Sequence, residues 1–87
     1  MQLAVTENYQ PTPHMSLELE WVPEDAATVT IYRTTLYREP SNSAVVRGID
    51  RAPLYGSQAF FADWDCPLQT MKEWGQYKYV AQVFNAQ

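Results

Sequence analysis

Residues 15–22 carry the cleanest pattern in the chain: Leu17, Leu19 and Trp21 alternate with Ser16, Glu18 and Glu20. Side chains alternate across a strand with period two, so this stretch reads as apolar inside and charged outside. A helix would splay Leu19 and Glu20 onto conflicting faces. Pro23-Glu24-Asp25 supplies the following turn. Upstream, Leu3, Val5 and Glu7 oppose Ala4 and Thr6. That segment stops at Pro11-Thr12-Pro13, since proline cannot donate to a ladder, and it is predicted to be an edge strand.

Downstream, residues 27–35 put Val29 and Ile31 on one face and Thr28, Thr30 and Tyr32 on the other. Strand formers on both faces predict a strand inside a sheet. Residues 36–38 prolong that strand or leave it, and residues 39–43 turn. Residues 44–47 form a short strand closed by Gly48. Residues 49–56 read as a loop whose Leu54 and Tyr55 pack against the body. Residues 57–62 make the next strand, ended by residues 63–67. Leu68, Met71 and Trp74 stand at spacing three, which fits one helical turn or a packed loop. In residues 76–85, Tyr77, Tyr79, Ala81 and Val83 share one face, against Lys78, Val80, Gln82 and Phe84. Its second face is only partly polar, as in a central strand. Its expected outer neighbour is a strand downstream of Gln87 or one from another subunit, added along the edge.

Six short strands at intervals of about 8–15 residues, with turn signals between them, predict an antiparallel two-sheet β-sandwich. The 87 residues are expected to form one domain, 1–87, at the N-terminal part of a longer protein. Composition supports this reading, because 12 of the 87 residues are Phe, Tyr or Trp, and large rings give a small core much buried area. The net charge is −4 and the six Lys and Arg residues are scattered, which argues against nucleic acid or an anionic membrane as partner. The pattern predicts no membrane span and no cleaved leader. Cys66 is the only cysteine, so no internal disulfide or cysteine metal cage can form, and a reducing compartment is expected.

The order of these signals resembles the fibronectin type III and immunoglobulin-like sandwiches. Leu17-x-Leu19-x-Trp21-x-Pro23 is similar to the second strand of fibronectin type III domains, whose tryptophan packs at the centre of the sandwich. Val29-x-Ile31-Tyr32-Arg33 resembles the third strand, and Tyr79-x-x-x-Val83-x-Asn85-Ala86 the sixth, whose tyrosine supports the preceding corner. The six predicted strands leave the seventh strand of that family to be missing or supplied from elsewhere.

A narrower likeness lies in the middle. Ile31-Tyr32-Arg33, then residues 46–51, then Ala62-Asp63-Trp64-Asp65-Cys66-Pro67 and a later Tyr-x-Tyr strand resemble the N-terminal domain of minor tail proteins from tailed phages of actinobacteria. That resemblance implies a structural role in the virion tail, built in the bacterial host cytoplasm, with other tail proteins and copies of the same chain as partners.

Candidate chemistry is sparse. Asp63 and Asp65, with Asp50, offer oxygens for calcium, but too few for an ion that takes six or more ligands. The simpler reading is a solvated corner with an Asx turn before Pro67. His14, the only histidine, lacks a nucleophile motif and reads as a surface loop residue. Carboxylates near Cys66 argue against a reactive thiolate. Arg47 and Arg51 are either interface residues or surface partners of Asp50. Successive Phe60 and Phe61 must point to opposite faces, so one leaves the core. Phe60, Phe61, Trp64 and Trp74, with Arg47 and Arg51, are therefore the expected interface residues.

No catalytic, cofactor or metal site is expected. The sequence points to a structural, assembly-mediating domain of a phage tail. The alternative is a fibronectin- or immunoglobulin-like adhesion module binding carbohydrate or a cell-surface protein.

Overall fold

The computed structural model describes residues 1–35, 42–65 and 77–85. Among them are seven strands and no helix: β1 (Gln2–Asn8), β2 (His14–Glu20), β3 (Ala26–Thr35), β4 (Asn42–Val45), β5 (Ala52–Pro53), β6 (Ala59–Asp63) and β7 (Tyr77–Asn85). All pairings are antiparallel. They make two sheets, one in the order β1-β2-β6 and one centred on β3. The expected small β-sandwich is thus present as an all-β, two-sheet architecture.

The first sheet follows directly from the alternation in β2. Met15, Leu17 and Leu19 are buried, while Ser16, Glu18 and Glu20 face outward between neighbours on β1 and β6. β1 lies at the edge, as its flanking prolines predict. In the second sheet β3 is fully employed. β7 runs along one side of it, from Ala26 opposite Asn85 to Thr35 opposite Tyr77. β4 and β5 follow one another along the other side, at residues 32–35 and 28–29 of β3. A β-bulge between Ala26 and Thr28 adjusts the register with β7.

The inner faces close over Met15, Leu17, Leu19, Val22, Val29, Ile31, Val46, Ile49 and Ala52. Leu3, Leu54, Phe61, Tyr79, Ala81 and Val83 pack around them. The excursion between β4 and β5 is held by a turn from Val46 to Ile49, where the Ile49 amide donates to the Val46 carbonyl. Gly48 has φ +87° at the third residue of that turn, the position where a type II turn requires positive φ. The turn lets both Val46 and Ile49 insert into the core and bond to the backbone of Ile31.

Several expectations need correction. β5 lies inside a stretch predicted to be loop, and Tyr55 projects into solvent rather than packing on the body. Trp21 does not sit at the centre of the sandwich: it takes a left-handed backbone, φ +59°, and is 74% exposed. This breaks the alternation of β2 by one residue, so Val22 enters the core in its place and its amide donates to the Ser57 carbonyl. His14 is no surface loop residue; it opens β2 and is buried. Asp63 is not at a solvated corner but is completely buried as the last residue of β6. The reading of residues 68–75, with Trp74 and Cys66, lies outside the described residues.

Candidate interaction surface

Strand parity decides which side chains of β6 and β2 are available. Ala59, Phe61 and Asp63 of β6 turn inward, opposite Leu19, Leu17 and Met15 of β2. Phe61 therefore packs, partly buried, against the core cluster and Phe60 stands outside, 69% exposed. On the outer face, Phe60 is paired with Glu18, which is paired with Ala4. The next row is Ala62, Ser16 and Thr6, and the last described row joins His14 to Asn8. Trp64, one residue beyond β6, lies against the His14 ring with centroids 4.1 Å apart. That contact buries the histidine while leaving the indole 52% exposed.

The outer face of the first sheet thus has a low row of Ala62, Ser16 and Thr6 between two raised aromatic rings, with Glu18 and Ala4 in the row of Phe60. At a strand rise of about 3.3 Å per residue, Phe60 and Trp64 stand roughly 13 Å apart along β6. Hydrogen bonds fix the His14 end. Its Nδ1 lies 2.8 Å from the Thr12 carbonyl and its Nε2 3.4 Å from Ser16 Oγ, which also accepts from Asn8 Nδ2.

Below this face a polar clasp ties the two sheets together. Asp63 Oδ2 accepts from the Arg33 guanidinium and, at 2.8 Å, from the Tyr79 hydroxyl. Its Oδ1 accepts from the backbone amide of Asp65, forming the expected Asx turn. A fully buried carboxylate is stabilised only when its oxygens are satisfied, and here both are occupied. Among the described residues no group of three or more His, Cys, Asp or Glu side chains could hold a metal ion.

Of the two readings of the arginines, interface residues or surface partners of Asp50, the described contacts show other partners than Asp50. Arg47 pairs with Asp65 at 2.9 Å, with side chains 78% and 43% exposed. Arg51 adopts φ +58°, donates its amide to Thr30 Oγ1, and lays its guanidinium 3.6 Å over the Phe84 ring on the far sheet face. Phe60 and Trp64 therefore share one surface, while Arg51 belongs to another and Phe61 to the core.

Sequence reasoning overlooked the clasp, yet its signal is present. Arg33 shares parity with Val29 and Ile31, Asp63 with Phe61, and Tyr79 with Ala81 and Val83. Three polar side chains at core positions at one end of the strands imply a buried network. Comparison with protein-family models, curated proteins and solved structures finds no match to this chain.

Proposed function

We propose that this chain is a structural, assembly-mediating β-sandwich that acts through protein–protein contacts, as in the minor tail proteins of tailed phages that its middle segment resembles. Its partners on this reading are copies of itself and other proteins of the virion tail. The observation that supports it most is the outer face of the first sheet, where Phe60 and Trp64 flank a floor of small side chains. Protein contact surfaces draw their energy from a few aromatic anchors, and small residues between them allow close approach. The fibronectin type III or immunoglobulin-like type belongs to the same proposal. The sheet order β1-β2-β6 facing a β3-centred sheet supports it, whereas the outward Trp21 departs from the fibronectin pattern.

Size-exclusion chromatography with light scattering, run over a wide concentration range, tests the reading. Self-association that Phe60→Glu abolishes without lowering the melting temperature is the expected result. A chain that stays monomeric throughout, indistinguishable from Phe60→Glu, overturns it.

A further inference from the structure

The start of β6, next to Phe60, carries a second feature. Glu20, Trp21, Ser57 and Gln58 line a shallow depression where β2 ends and β6 begins. Trp21 dominates it. A bulky residue in the left-handed region is a genuine outlier, and such strain concentrates at functional sites. The strain here holds a large apolar ring in solvent, which contributes little to folding. Glycine or asparagine would satisfy the same backbone without it.

We propose that this depression is a carbohydrate-binding subsite for a neutral pyranose. The indole offers a flat, electron-rich face to the C–H face of a sugar ring, whose hydrogens carry partial positive charge. Around it, the three polar side chains match hydroxyl chemistry. Ser57 Oγ donates and accepts, the Gln58 amide does both through separate atoms, and the Glu20 carboxylate accepts. A sugar hydroxyl is likewise donor and acceptor at once, so adjacent hydroxyls engage such a set well. Glu20 and the chain's net charge of −4 repel anionic sugars and phosphates. A proline-rich peptide fits less well, since such ligands dock in grooves lined by several aromatics and this depression has one. The site lies where β2 ends and β6 begins, two residues from Phe60, so this reading and the assembly reading are told apart by separate readouts.

Nuclear magnetic resonance titration of the 15N-labelled chain tests this. The probes are cellotetraose, maltotetraose, mannotetraose and chitotetraose, with oligogalacturonate as the anionic control and a decaproline peptide as the competing class. At least one neutral oligosaccharide is expected to shift the Trp21 indole and Gln58 amide signals saturably, in the millimolar range. Trp21→Ala should weaken that binding at least tenfold and Trp21→Phe by less. Trp21→Gly, which keeps the backbone relaxed, should abolish it with an intact spectrum elsewhere. The proposal is overturned if no neutral sugar moves these signals, if the shifts survive Trp21→Gly, or if only decaproline or oligogalacturonate produces them. Light scattering of the same samples reads association separately.

Discussion

Tyr79 reaches from β7 across the sandwich and donates its hydroxyl to Asp63 on β6, joining strands of opposite sheets through one buried carboxylate. Arg33, the cross-strand partner of Tyr79, donates to the same oxygen. Unlike the non-directional apolar packing of the core cluster, this carboxylate ties the two sheets through directed hydrogen bonds at one end.

Removing the tyrosine hydroxyl deprives a buried charge of one donor. Tyr79→Phe should cost about 1–3 kcal/mol in chemical denaturation. Asp63→Ala, which leaves Arg33 without its carboxylate, should cost about 3–5 kcal/mol, toward the lower end because the Arg33 side chain keeps some solvent contact. The two should be strongly non-additive in a double-mutant cycle. Additive costs would mean that the three groups do not act as one network.

Trp21 and Arg51 share a positive φ near +59°, but differ in what their side chains touch. Trp21→Gly removes strain and sacrifices little burial, so stability should hold or rise by about 1 kcal/mol. Arg51→Gly relieves similar strain but gives up the contact with Phe84, worth about 0.5–1 kcal/mol at an exposed site. Its net effect should be near zero. A drop of several degrees in melting temperature for Trp21→Gly would show that the indole packs on the body.

Neighbouring phenylalanines should respond in opposite ways. Phe61→Ala removes a ring that packs on Leu17 and its neighbours and should cost about 2–4 kcal/mol. Phe60→Ala alters an outward ring and should stay within about 0.5 kcal/mol. Equal costs for the two would contradict the parity of β6.

Arg47 and Asp65 form an exposed pair, so Arg47→Ala should change stability by less than about 1 kcal/mol, and less still in high salt. A larger, salt-independent loss would place Arg47 in a buried contact.

The strands were legible because their core residues alternate without interruption: Leu17 and Leu19, Val29 and Ile31, Ala81 and Val83. Where alternation is the whole signal, its failures are invisible. Nothing in the pattern around Trp21 announces a change in the sign of φ, and that single rotation exchanged Trp21 for Val22 in the core. β5 escaped notice because two residues, one of them Pro53, are too short for any period to register. His14 looked exposed because its cover, Trp64, arrives from a distant part of the chain. The choice between Phe60 and Phe61 required knowing which face of β6 meets the core, and strand pairing with β2 supplied it.

The central place of β3 has a consequence for the order in which the chain takes shape. β1 and β2 are neighbours in sequence and can zip together early, whereas β3 must wait for β7, with Ala26 finally meeting Asn85. Pairings so remote in sequence are slow, since loop closure has to precede any gain from contact. During synthesis the side of β3 that β7 will occupy is therefore the last to be sealed, and it emerges from the ribosome as bare backbone well before residues 77–85 do. A strand from a nascent neighbour that reached this side first would produce an exchanged dimer rather than a monomer.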